Sequence, residues 1–560
     1  MFEFLAAIGP IPLNASELIA DVSLKADGCF FQMALLKSNH RAIARKLNFN
    51  GGVDVSLLGF NYNDPNAWKS IEDLEQGLDG PVCAFVSQEA EVVVYADPCG
   101  WRSIYYVRHR GRLWLSSNIR HFRRLPGFQL VPDTSKSLAY ACMSFIPGEE
   151  TIWRGVYALP MGCKCVVDTS LRAKLRTYYA VEPSIQQQRD EVRAARQLYD
   201  LTLSNTDRIR QATGQRDCVV LLSGGLDSTV ALYAAIEVFG KHHVQAISVN
   251  FGKNLPSENQ YIDLAIEAFQ CPHAYIEVSP ASFLSDMNDI YTWIDDPIGD
   301  PVVMPNYIMN KVIPREQTLV LTGEGGDPCF GGPKNQFMTG MAWASNLYDD
   351  GDSPSFLAKA YLESFKRGYD DCRSMLNLGD ELFRNAYQSL LDLLCHQLKL
   401  NETQSFLNRL LFANKRLKCH SLILPKVQKT TQPFGRLSLS PIYTRSILDF
   451  CRNTSIEVKY PRLREKYILK QAFKHVLPDA IVHRPKSGMR VPLSFWREKD
   501  ILGYHRQVLV KENKETTYRF FNPKYIKRLL GKDAIARKGL KTWMISVFIQ
   551  TVVNLQKHEQ

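Results

Sequence analysis

The sequence predicts a layered αββα domain followed by a doubly wound parallel α/β domain with a helical extension, in a single chain of 560 residues. Three observations predict this. From residue 218 onward, short apolar runs end in glycine-rich turns and lead into apolar helices, the alternation that builds a parallel sheet. Before residue 183, apolar strands alternate with glycine turns instead, the pattern of layered β structure. Between them, a polar run at 183–188 (Pro183-Ser184-Ile185-Gln186-Gln187-Gln188) interrupts both patterns, and 560 residues exceed what one hydrophobic core usually organises. The expected domains are 1–183 and 190–560.

The elements follow in order. Leu78-Asp79-Gly80-Pro81 is a turn that opens a strand through Val82 to Val86, and further strands are expected over 92–96 and 113–117. Cys163-Lys164-Cys165 alternates along a strand, a spacing poor for zinc. A helix begins near Arg189-Asp190-Glu191-Val192. Residues 218–222 form a buried strand and Val230 to Ala235 lie on a buried helix. Residues 246–251 form the next strand, and Ser257 caps a helix running through Asp263, Ala265 and Phe269. Residues 318–321 are another short strand. Residues 340–425 read as mostly helical, with a surface loop at 349–354.

Composition narrows the class. With 45% hydrophobic and 22% charged residues the chain is an ordinary globular protein. No apolar stretch approaches the ~18 residues that span a bilayer. The start, Met1-Phe2-Glu3, has an acid where a signal peptide needs basic residues. Thirteen cysteines without paired spacings suggest reduced thiols and a cytoplasmic setting. The net charge of +11 is accounted for by a phosphate-bearing ligand and solvated faces, with no nucleic-acid module and no membrane partner expected.

The chemistry concentrates in two loops. The strand at 218–222 runs into Ser223-Gly224-Gly225-Leu226-Asp227-Ser228-Thr229 and then directly into a helix. Glycines let the backbone approach an anion, and the first N–H groups of the helix bind it. Leu222, Ser223, Gly224, Gly225, Asp227, Ser228 and Thr229 are therefore candidate phosphate-binding residues, with Asp227 able to hold Mg2+. No lysine follows the glycines, so this is not the Gly-Lys-Ser/Thr loop of P-loop NTPases. The second loop, Thr322-Gly323-Glu324-Gly325-Gly326-Asp327, leaves the strand at 318–321 and places two carboxylates beside tight turns. Thr322, Gly323 and Val249 of the neighbouring strand join the nucleotide site, and Asp327 offers a second Mg2+ carboxylate.

The first loop resembles the pyrophosphate loop of ATP-pyrophosphatases, and the two together resemble the synthetase domain of the asparagine synthetase family. That resemblance implies ATP and Mg2+ as cofactors, an acyl-adenylate, and release of AMP and pyrophosphate. It implies that Glu324 acts as a base or positions the amine. Asp295-Asp296-Pro297-Ile298-Gly299-Asp300 resembles the family's acidic turn. Residues 484–492 resemble its late basic loop, in which Lys486 would neutralise the leaving pyrophosphate. The N-terminal strands resemble the family's glutaminase domain, an N-terminal-nucleophile hydrolase fold. Phe2 offers no thiol, however, Cys29 lies inside the chain without a free amine, and Phe60-Asn61-Tyr62-Asn63 lacks the Gly and Glu of the glutamine-binding segment. A domain retained as a fold and lost as a glutaminase is expected.

Families with such a degenerate domain include β-lactam synthetases and lasso peptide cyclases. Gly325-Gly326-Asp327 resembles the cyclases, whereas Glu324 resembles asparagine synthetases. Gln428 and Leu439 stand where the asparagine synthetase segment carries Asp and Arg. The leading expectation is lactam or macrolactam closure of a peptide, with a precursor peptide and a protease as partners. The alternatives are an ammonia-dependent asparagine synthetase or other amidotransferase, and a non-catalytic nucleotide-binding subunit.

Overall fold

The computed structural model describes residues 2–9, 22–26, 29–38, 44–49, 53–88, 90–180, 184, 187–252, 258–347, 354–399, 405–485, 488–489, 491–493, 496, 501–531 and 538–557. Lys486, Ser257, Pro183 and the 349–353 part of the expected loop lie outside these residues.

The strands of the first part are β1 (Phe2–Gly9), β2 (Val22–Ala26), β3 (Cys29–Ser38), β4 (Ala44–Phe49), β5 (Val53–Gly59), β6 (Val82–Gln88), β7 (Glu91–Tyr95), β8 (Tyr105–His109), β9 (Arg112–Ser116), β10 (Val156–Ala158), β11 (Cys163–Asp168) and β12 (Ala173–Thr177). They form two six-stranded sheets, ordered β10-β8-β9-β1-β3-β2 and β12-β11-β7-β6-β5-β4. Period-two alternation puts Phe4, Ala6 and Ile8 of β1 against Phe85, Val92 and Val94 of the other sheet. Phe4 meets Phe85 edge-on at 5.7 Å between ring centroids. Leu5 and Ala7 point the opposite way, into the cluster that holds the helix Ser137–Met143. Leu74 of the helix Ile71–Gly77 covers the outer face of the second sheet. The result is the expected αββα layering. Cys163 and Cys165 are both buried on β11, inside the sheet sandwich.

The second part is a five-stranded sheet, β13 (Cys218–Leu221), β14 (Val244–Asn250), β15 (His273–Glu277), β16 (Leu319–Leu321) and β17 (Leu437–Leu439), ordered β15-β14-β13-β16-β17 with every pair parallel. The chain winds outward from β13 through β14 to β15, then returns to place β16 on the other side of β13. That reversal opens a crevice at the carboxyl ends of β13 and β16, where the two glycine loops emerge. Helix α1 (Glu191–Thr213) starts behind Asp190, whose carboxylate accepts from the Arg193 N–H at 3.0 Å. The other helices that shape the site are α2 (Leu226–Phe239), α3 (Asn259–Phe269), α4 (Val303–Val312), α5 (Leu424–Thr431) and α6 (Tyr467–Phe473). The region expected to be mostly helical up to residue 425 includes a ten-residue π-helix at Asn414–Ile423 that runs straight into α5.

The seam between the two parts is dense and polar. Asp295 Oδ2 accepts from the Ile119 N–H at 2.7 Å, and Asp296 Oδ1 accepts from the Ile152 N–H at 2.9 Å. Burial pushes the Asp296 carboxyl up to about 8. The acidic turn thus clamps the N-terminal sheets. Asp79 binds Arg208 of α1 at 2.9 Å and accepts from the Arg445 N–H at 3.0 Å. Gln428 of α5 also faces this seam, donating to the Trp101 carbonyl and accepting from the Ser103 N–H. An amide serves both contacts where a carboxylate could only accept.

Candidate active site

The β13 loop owes its shape to its own hydroxyls. Ser228 Oγ donates to the Gly225 carbonyl at 3.0 Å and accepts from the Ser223 N–H at 3.2 Å. Thr229 Oγ1 also caps the Gly225 carbonyl, at 2.9 Å. The loop then turns without interruption into α2, so that Asp227 sits in the first turn of a buried helix. The β16 loop lies against it at van der Waals limits. A Cβ on Gly323 would fall 2.5 Å from the Ser228 nitrogen, and one on Gly326 would fall 2.4 Å from the Asp227 carboxylate. Gly325 has φ +96, and a Cβ there would strike Tyr443. The glycines are thus needed for contact between the loops as well as for turning.

This contact brings Asp227 and Asp327 onto one lysine. Lys466, only 1% exposed, ion-pairs with both carboxylates, at 2.6 Å to Asp327. Its backbone is left-handed at φ 54, immediately before α6, and its N–H donates to the Phe330 carbonyl at 3.2 Å. Two carboxylates against one ammonium leave a net negative charge, which suits a divalent cation. The glycines leave no side chain between the acids and an incoming phosphate.

A cavity of about 330 Å³ opens over these groups. Leu222, Ser223, Gly225, Asp227 and Ser228 line it from one loop, and Thr322, Gly323, Glu324 and Asp327 from the other. Of the expected nucleotide residues, Gly224, Thr229 and Val249 do not line it. Thr229 is fully buried and spends its hydroxyl on the loop, Val249 is buried in the sheet, and the Gly224 carbonyl accepts from Arg484 at 2.9 Å. Gly488 and Met489, two and three positions beyond Lys486, do line the cavity. Beside Glu324, Lys426 of α5 stands 3.2 Å from Asp300 and 3.8 Å from Glu324. Burial works against the Lys426 charge, but these two carboxylates outweigh it and hold the ammonium above its ordinary range.

Lys466 and Lys426 are candidate site residues to which the sequence assigned no role, while Asp300, which pairs with Lys426, belongs to the acidic turn. Glu465-Lys466-Tyr467 marks a helix start, but nothing local tells which of several lysines folds back to the carboxylates. Among the described residues no helix is long and apolar enough to cross a membrane.

The asparagine synthase family model matches residues 207–554. An asparagine synthetase [glutamine-hydrolyzing] 1 of Bacillus subtilis is 22% identical over 92% of this chain and 83% of its own length. A putative asparagine synthetase [glutamine-hydrolyzing] of Mycobacterium tuberculosis is 24% identical over 72% of this chain and 66% of its own. A putative asparagine synthetase [glutamine-hydrolyzing] 2 of Methanocaldococcus jannaschii is 25% identical over 45% of this chain and 48% of its own. The matched region contains the parallel sheet, both glycine loops and Lys466. The chain belongs to the asparagine synthase family and is an ATP-dependent ligase that makes amide bonds.

Proposed function

We propose that this ligase closes a lactam within one peptide, joining an amine to a carboxylate that it first activates as an acyl-adenylate. Residues 190–560 would form the synthetase domain, and residues 1–183 a glutaminase fold that no longer feeds it. The carrying observation is the state of the Phe60-Asn61-Tyr62-Asn63 turn. Asn61 Nδ2 donates to the Asn63 and Gly77 carbonyls, and its Oδ1 accepts from the Asp79 N–H. Asn63 Nδ2 donates to the Gly77 carbonyl, and its Oδ1 accepts from Arg208 of α1. A turn whose side-chain amides are engaged in internal contacts offers little to glutamine, which supports an amine taken from elsewhere.

In the proposed reaction the substrate carboxylate attacks the α-phosphorus of ATP, and the P–O bond to pyrophosphate breaks. Lys466, with Lys486 from the basic loop, would neutralise the charge that grows on the leaving group. Asp227 and Asp327 would hold Mg2+, with phosphate oxygens completing its coordination. A Mg2+ held by these two carboxylates would supply positive charge to the β- and γ-phosphates. Glu324, beside Lys426, would take the proton from the amine as it attacks the acyl carbon and expels AMP. Exclusion of water during the reaction would protect the adenylate from hydrolysis. Free thiols throughout the described residues support a cytoplasmic setting.

An ammonia-dependent asparagine synthetase is the second reading, favoured by Glu324. The two separate by mass spectrometry of a candidate peptide encoded beside this gene, incubated with ATP and 15N-ammonium. Loss of one water without label supports lactam closure. A labelled primary amide, or labelled asparagine made from added aspartate, would sink it.

A further inference from the structure

The π-helix Asn414–Ile423 walls two cavities. Lys418, Leu422 and Ile423 line the one over the glycine loops, while Arg416, Leu417 and His420 line a second, of about 430 Å³. Extended π-helix is rare and gathers at functional sites. The remaining walls come from both parts of the chain: Ala139 and Ile146 from the N-terminal part, and Ala386, Leu390 and Leu393 from the helix Asp380–Lys399. The volume and the mainly apolar lining suit a small ligand.

Two buried polar side chains in this wall are incompletely satisfied. Gln397 and His420 are each 7% exposed, and Gln397 Oε1 and His420 Nε2 have no hydrogen-bond partner among the described residues. Each such atom costs about 1–3 kcal/mol if left unmade. Two at one ligand-sized cavity point to a guest that completes them. The charges around the cavity balance locally: Lys136 pairs with Glu150, and the Arg416 guanidinium acts on Glu149. Burial, aided by Arg416, brings His420 down to about 4, so its ring is neutral near pH 7. An uncharged guest fits this lining better than an ion.

We propose that this cavity is a second binding site, and that it takes an apolar side chain flanked by amide groups, the unit found in an uncharged acyl amino-acid amide or in a peptide. An amide offers an N–H to Gln397 Oε1 and either an N–H or a carbonyl to His420, while its side chain fills the space between Ala386, Leu390 and Leu393. The site does not depend on lactam closure. Its guest is either a remote part of the substrate or a separate effector.

The test is calorimetric titration of the full chain with N-acetyl-leucine amide, and with N-acetyl-leucine as its charged counterpart. The expected result is saturable binding of the amide, weaker binding of the acid, and at least a tenfold loss in both Ala386→Trp, which fills the cavity, and Gln397→Leu, which deletes the amide partner. ATP affinity, kept in both variants, shows that they are folded. Given that pattern, amide affinity shifted severalfold by saturating ATP assigns the guest as an effector. Affinity indifferent to ATP but competed by the carboxylate substrate assigns it as part of that substrate. Absence of saturable binding, equal affinity in wild type and both variants, or tighter binding of the acid overturns the proposal.

Discussion

At Lys466 one ammonium faces two carboxylates in a pocket that water barely reaches, and the leaving pyrophosphate would draw on that same charge. Lys466→Met is expected to lower turnover by about 10²–10³-fold, the scale of losing one preorganised charge contact in a transition state. Asp227→Asn and Asp327→Asn should be at least as severe and should also abolish the Mg2+ dependence of ATP binding. Steady-state rates and ATP titrations with and without the ion check both. A second residue, Glu3, gives the pH prediction. Although burial opposes ionisation, its contact with His121 at 2.6 Å holds the carboxyl near 2, below its ordinary 4.5. A lowered carboxyl stabilises the fold above pH 4.5 and loses that contribution as pH falls from about 4.5 to about 2. The contribution is on the order of 3 kcal/mol. Acid unfolding of Glu3→Gln should therefore be flatter than wild type across that window, and parallel slopes would show that the pair does not matter.

The loops and strands were far more legible in the sequence than the contacts between them. β13 and β16 announce themselves as short apolar runs leading to glycine, because a strand buried on both faces has no polar alternation to blur it. The Ser223–Gly225 turn and the Gly323–Gly326 turn were equally plain. Their mutual contact was not, since it depends on a strand order that reverses at β13. The π-helix could not be foreseen either, for Asn414–Ile423 has the composition of an ordinary helix end. In the sequence Gln428 shows only as an amide where the family segment carries an acid; its contacts, joining α5 to Trp101 and Ser103, appear once the two parts are docked. The loop contact makes its own prediction. Gly326→Ala places a methyl 2.4 Å from the Asp227 carboxylate and should abolish activity with little change in thermal midpoint, as the strain falls on a loop. A variant with normal turnover would mean that the two loops sit farther apart.

Across the whole molecule, the N-terminal sheets pack into the same core as the parallel sheet. Leu5, Ala7 and Trp114 share one hydrophobic cluster with the parallel sheet and its helices, and Asp295 and Asp296 are held by backbone N–H groups of the N-terminal part. Removing residues 1–180 would expose that cluster and leave Asp295 and Asp296 without those partners. The truncated chain should then be insoluble, or soluble without activity; full activity would contradict the shared core. On the proposed reaction, the two glycine loops and Lys466 cut ATP between its α- and β-phosphates to activate a carboxylate. The direct measurement is chromatography of the nucleotide products formed by the full chain with ATP, Mg2+ and the carboxylate it consumes. AMP and pyrophosphate in equal amounts, matching the amide formed, are the predicted result; ADP and phosphate would contradict it.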